Sequence, residues 1–172
     1  METAIAVLII LTVVLFGALT IVQVYLSSQD VILESWREME ERRGERSRTQ
    51  ISPVGAETIN ETKVEVILEN TGDTKLADFD QWDVIVQYDS LTEGNVVEWL
   101  SYNYIEKGGV SSGEWSNDKG EDIGDIFEPG IFNPREVMTI TLVVASSIGQ
   151  PSTNLATIAT PNGISASAVF TR

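Results

Sequence analysis

The sequence predicts an α+β protein: a long N-terminal hydrophobic α-helix over residues 1–48, followed by an antiparallel immunoglobulin-like β-sandwich over 49–172. Three observations predict it. Ala4 to Val22 carries no charge. No proline precedes Pro53, so nothing upstream of it forbids a continuous helix. From Ile51 onward apolar residues recur at every second position, the period of a half-buried strand.

Within Ala4 to Val22 only Thr12, Gly17 and Thr20 interrupt the aliphatic run. As a helix the run covers roughly 28 Å, close to the hydrocarbon thickness of a bilayer. The polar stripe of a soluble surface helix is missing. A secretory signal peptide needs a basic start and a small-residue cleavage site. Here no Lys or Arg precedes Arg37, and the run ends Gln-Val-Tyr-Leu. Two readings remain: a membrane anchor, and an assembly helix held in lipid first and buried against copies of itself afterwards.

Glu2 bears on that choice. A carboxylate at the start of a membrane-length helix is costly in lipid unless it is paired or reaches the interface, although the helix dipole favours it there. It would pair with the α-amino group of a neighbouring copy if Met1 opens a processed chain; otherwise it rests in the headgroup region.

The helix continues beyond the apolar block. Val22, Tyr25, Gln29, Ile32, Trp36 and Met39 recur at spacings of three and four, an a/d-like seam. Around it, Glu34 to Arg48 holds five acids and five bases, so its charge sums to zero. Gly44 is the first expected weak point. A simple anchor needs no such seam, whereas helices packed side by side do.

The chain carries a formal net charge of −15, distributed unevenly. Met1 to Arg48 has seven acids and five bases, and Thr49 to Arg172 has nineteen acids and six bases, giving −2 and −13. A head this acidic repels nucleic acid and lacks a basic stripe to neutralise phosphate. Cysteine and histidine are both absent. That excludes disulfides, thiolate nucleophiles and imidazole as base or metal ligand.

The head reads as a series of short strands. They are expected over 51–59, 62–69, 82–88, 96–104, 137–144, 155–159 and 164–170, separated by turn residues. Asn70-Thr71-Gly72-Asp73 supplies turn chemistry, and Asn162-Gly163 is a hairpin signal. No helical crossovers intervene, which argues against a parallel sheet.

Residues 107–132 are Gly-rich and irregular. Asp118, Glu121, Asp122 and Asp125 there form an oxygen-rich set of calcium type, but the spacing misses the D-x-[DN]-x-[DN]-G loop. A solvated acidic loop is the simpler reading. Asn60-Glu61-Thr62 is the N-x-[ST] sequon and makes Asn60 the glycosylation candidate. Trp82, Trp99, Tyr102, Tyr104 and Trp115 offer material for a sugar platform, with core packing the default for Trp82 and Trp99. Abundant carboxylates on an acidic surface do not make a glycosidase pair. No catalytic residues, resident metal or cofactor are expected.

With these parts in order, the chain resembles the archaeal type IV pilin superfamily, and within it the archaellum filament subunits. The resemblance rests on the apolar helix running into a charged segment, the Asn70-Thr71-Gly72 turn, the Asn133-Pro134-Arg135-Glu136 step before a strand, and the hairpin Ala159 to Ala168. It implies that a prepilin-type peptidase removes a basic leader from a precursor in the cytoplasmic membrane. An ATPase platform then assembles the mature chain into an extracellular homopolymeric filament, for swimming or adhesion. Met1, Glu2, Ile5, Leu8, Leu11, Leu15, Ile21, Val22, Tyr25, Ile32 and Trp36 would then lie in the filament core. The family's helix usually opens on small residues, whereas this one opens Met-Glu-Thr-Ala, and its charged extension is long. Adhesive pili and the archaellum's membrane-anchored sandwich accessory or stator proteins therefore stay open.

Overall fold

A computed structural model of the chain describes residues 2–104, 109–117, 128 and 130–172, without the side chain of Glu2. The chain divides into two compact units, the second being Glu45–Arg172.

Helix α1 runs Glu2–Arg48 without interruption, through Gly17 and Gly44. Nothing lies within 4 Å of where a Cβ would sit on either glycine, so neither answers a packing demand within the chain. Three hydroxyls on α1 bond back to the helix itself. Thr12 donates to Leu8 O at 2.8 Å, Thr20 to Gly17 O at 2.8 Å, and Ser35 to Val31 O at 2.9 Å. This back-bonding lets a hydroxyl exist in an apolar surrounding without an external partner. In the charged part, Glu38 and Arg42 stand 4.0 Å apart, an exposed pair worth little.

The head contains β1 (Ile51–Thr58), β2 (Lys63–Asn70), β3 (Asp83–Ser90), β4 (Gly94–Tyr102), β5 (Glu114–Asn117), β6 (Val137–Val143), β7 (Thr153–Ala159) and β8 (Ser165–Thr171). Their ladder order is β1-β2-β6-β5-β4-β3-β7-β8. Every ladder is antiparallel except the short β4–β5 pairing. The Thr58 hydroxyl donates to Thr171 O at 3.1 Å, bringing the two end strands together. The result is a sandwich curled almost into a closed barrel, which limits the exposed edge. Pro53 is tolerated because the β1–β2 register shifts between Pro53 and Gly55, a bulge that removes the need for its missing N–H.

Alternation places the core. Val64, Val66 and Leu68 from β2 meet Val84, Val86 and Tyr88 from β3, with Ile158 and Phe170 closing the layer, all buried. Phe79, on the 3-10 turn Phe79–Gln81, packs 5.2 Å from Trp82, and Tyr102 lies 4.8 Å from Trp115, both tilted.

The expected seven strands are present with ends shifted by one or two residues. An eighth, β5, lies inside the stretch expected to be irregular. It also supplies the one parallel pairing in a sheet expected to be antiparallel throughout. Trp115 explains it: the side chain is fully buried, and the four-residue strand is held by β6 through Glu114–Val143 to Asn117–Ile140. That pairing is long-range, and no local pattern announces it.

Candidate interaction surfaces

Described positions of α1 expected in a filament core are exposed within the chain. Among Ile5, Leu8, Leu11, Leu15, Ile21, Val22, Tyr25, Ile32 and Trp36, exposure runs from 52% at Val22 to 72% at Ile21. So much apolar surface must be covered by lipid or by protein. The helix is long and apolar enough to cross a membrane. Met1 and the Glu2 side chain lie outside the described residues.

A second apolar surface occupies the outer face of the head. Ile85 sits opposite Trp99 on β4 and Thr157 on β7. In the next row Gln87 sits opposite Val97 and Leu155, and Leu155 opposite Val169. Trp99 is 57% exposed and Val97 65%. The Trp99 indole N–H donates to Asp83 Oδ1 at 3.0 Å, which fixes the ring over the sheet. Trp99 is therefore not the core residue its size suggests. The reason is Glu98, which points inward beside Val86 and is satisfied there: it accepts the Tyr88 hydroxyl at 3.1 Å and the Ala145 N–H at 3.0 Å. A satisfied inward carboxylate inverts the alternation that sequence alone implies for β4.

The rim of this patch is acidic, with Asp83 and Asp89 exposed on the same strand. Several cations of the head are tied to its own carboxylates. Lys63 pairs with Glu65 at 2.8 Å and Arg172 with Glu61 at 3.1 Å, and Lys75 pairs with Glu128. The excess negative charge thus stays on the surface.

Where α1 enters the head, its last turn is fastened through the backbone. Asp73 N–H donates to Arg48 O at 2.8 Å and Gly72 N–H to Gln50 O at 2.9 Å. These bonds satisfy a carbonyl that the helix end would otherwise leave open. Asn162 Nδ2 donates to the Thr49 hydroxyl at 2.7 Å, which itself donates to Glu45 O at 2.9 Å. Arg46 Nη2 donates to Gly163 O at 3.3 Å.

Asn70 anchors the Asn-Thr-Gly turn beneath this joint. Fully buried, it donates to Thr74 O and Phe132 O, both at 2.9 Å, and accepts Gly72 N–H at 3.1 Å. Asn133 N–H donates to Glu136 Oε2 at 2.6 Å, a side-chain-closed turn beside it.

The remaining sequence expectations fall as follows. Asn60 is exposed on the β1–β2 turn, where its Oδ1 accepts the N–H groups of Thr62 at 2.9 Å and Lys63 at 2.8 Å. The sequon is thus displayed, and its oxygen closes the turn. Asp118, Glu121, Asp122 and Asp125 lie outside the described residues. Among the described residues no group of three acidic side chains is placed to hold a metal ion. Of the platform aromatics, Trp82 and Trp115 are buried and Tyr102 packs against Trp115, so among these five Trp99 and Tyr104 are the exposed rings.

Among the described residues three titratable groups are displaced. Asn103 Nδ2 at 2.6 Å and the Ser111 N–H at 3.0 Å both donate to Glu114 and hold its carboxyl below the usual range. Burial raises the Tyr88 phenol, with the Glu98 carboxylate adding to it. Burial also raises Tyr102, helped by Tyr104 and Asp80. Tyr88 belongs to β3, Tyr102 to β4 and Glu114 to β5.

No family model and no curated protein sequence matches the chain. Solved structures do. One is a chain of the archaellum periplasmic stator protein complex FlaF and FlaG from Sulfolobus acidocaldarius. It is 20% identical, with a TM-score of 0.53 over 71% of this chain and 89% of that one. Another is the archaellum periplasmic stator protein FlaG from the same organism, 20% identical, with a TM-score of 0.52 over 71% of this chain and 99% of that one. At this identity the likeness establishes a shared fold.

Proposed function

We propose that this chain is a membrane-anchored, non-catalytic component of an archaellum that serves in its stationary support, and not as a subunit of its filament. The observation that carries this reading is the combination of a head with the fold of archaellum stator proteins and a continuous helix of membrane length. The filament, its ATPase platform and the leader peptidase of the sequence resemblance belong to the other reading. That reading explains the helix but derives no support from the stator fold.

The head faces away from the cytoplasm, and the acidic surface suits it to an exterior or high-salt medium. The arginines of α1 do not hold it inside. The nearest, Arg37, stands roughly 22 Å along the helix from Val22, more than two Debye lengths of about 8 Å from the membrane surface. The partner is another archaellum β-domain, as in the complex that one structural neighbour comes from. Asn60 is a glycosylation site on this reading, its side chain already displayed at a surface turn.

Shearing of cells followed by fractionation tests the proposal. The chain should remain with washed membranes, and its head should be cut by protease added outside intact cells. Recovery in sheared filaments would overturn the proposal in favour of the filament, and protease protection in intact cells would overturn the orientation.

A further inference from the structure

We propose that α1 pairs with the α1 of a second copy as a parallel, in-register coiled coil that begins in the membrane and ends at Met39. The inference rests on the membrane-anchored reading and adds the identity of what covers the helix outside lipid.

The period is the first argument. The seam Val22, Tyr25, Gln29, Ile32, Trp36 and Met39 alternates steps of three and four without a slip. It continues backward through Ala18, Leu15, Leu11 and Leu8 at the same alternation. A lipid-facing surface requires no period, whereas a strict seven-residue repeat specifies a left-handed helix pair.

Position is the second. Met39 stands roughly 26 Å along the axis beyond Val22, where lipid cannot reach it. Yet Ile32, Leu33, Trp36 and Met39 are all about half exposed or more. In proteins most of a helix's stability in water comes from packing an apolar face.

Charge selects the occupant. Glu34 to Arg48 sums to zero, while the head carries −13, so the helix is the part of the chain that two copies can bring together without strong repulsion. Spans in one bilayer with the same topology must run parallel. In that arrangement Gln29 faces its counterpart, and a polar residue at one seam position fixes register. Arg43 and Arg46, the next two positions of the same alternation, then bring like charges face to face, which ends the pair just beyond Met39.

The absence of native cysteine makes the test clean. Single-cysteine variants of the full chain are oxidised in native membranes. Ile32→Cys and Met39→Cys should yield disulfide-linked dimers roughly tenfold above Glu34→Cys and Glu41→Cys, because only seam positions reach disulfide geometry. Adding Trp36→Asp to Ile32→Cys should abolish the dimer while the chain stays in the membrane fraction. Equal cross-linking at seam and outer positions, or none at any in a membrane-bound chain, overturns the pairing. Loss of the chain from the membrane fraction overturns the anchored reading and the pairing with it.

Discussion

Gly72→Ala is expected to unfasten the helix from the head. A Cβ on Gly72 would sit 2.4 Å from Arg48 O and 2.5 Å from Gln50 N. Both are backbone atoms, so no side chain can swing aside, and the strand-end or the helix-end must move by most of an ångström. That movement breaks Asp73 N–H to Arg48 O and Gly72 N–H to Gln50 O. Two such bonds contribute about 1 kcal/mol each, and forced overpacking adds about 1–3 kcal/mol. The unfolded chain becomes stiffer on replacing glycine, which returns roughly 0.5 kcal/mol. The expected loss is about 2.5–4.5 kcal/mol, or a fall in Tm of very roughly 10–20 °C for a domain of this size. Near-UV circular dichroism of the full chain in detergent, dominated by buried Trp82 and Trp115, reads it directly. Gly55→Ala is the control, since nothing lies within 4 Å of its Cβ position. If the two variants melt within about 2 °C of each other, a difference below roughly 0.5 kcal/mol, the close-approach argument is wrong.

Other perturbations test separate parts of the molecule. Asn70→Ala removes two donated bonds and one accepted bond from a buried turn; Phe132 O keeps the Leu76 N–H and the Gly72 N–H keeps Gln50 O, so the loss should be about 2–3 kcal/mol by the same melt. Glu114 contributes stability that is present above its ordinary pKa of about 4.3 and is lost as pH falls through its depressed folded value; Asn103→Ala should flatten that acid limb in a pH series of melts, and an unchanged slope would count against the assignment. Tyr88 and Tyr102 have the opposite sense, so alkaline destabilisation should begin near pH 10, with their phenols ionising above the ordinary tyrosine value when followed by ultraviolet absorbance. Trp99→Asp paired with Val97→Asp should leave the melting temperature within a few degrees, since both side chains are exposed, yet abolish co-purification of the β-domain partner proposed above; retained co-purification would remove this face from the interface.

The parts that were legible in the sequence are those set by local period. The apolar helix and seven strands declare themselves through runs and alternation, because each such element buries one face of its own. Strand β5 does not, since four residues give too short a pattern and its burial comes from pairing with β6. Trp99 was misplaced because Glu98 occupies an inward position that a carboxylate normally avoids, and its compensating donors, Tyr88 and Ala145, are distant in sequence. Gly72 was legible as a turn residue but not as a contact with Arg48, which exists only once α1 and β2 are assembled. The choice between filament and stationary support was the least legible. Both roles need an apolar helix and a sandwich head, so no local pattern separates them.

A stationary support has a mechanical requirement that a single span cannot meet. Burying α1 in lipid makes extraction prohibitively costly, since each methylene withdrawn costs about 0.8 kcal/mol. Nothing in that energy opposes drift or spin within the membrane plane, because the apolar contacts are the same at every lateral position and rotation. Pairing of two helices stops each from spinning against the other but leaves the pair free to drift. Resistance to sideways drag must therefore enter through the head, at a contact with something that does not diffuse. The apolar outer face around Trp99 and Ile85 is a surface on the described head capable of such a contact, and its ring is already held by Asp83. In a stationary support, force taken up there would reach α1 through the joint where backbone bonds at Gly72 and Asp73 are joined by the side-chain bonds of Asn162, Thr49 and Arg46.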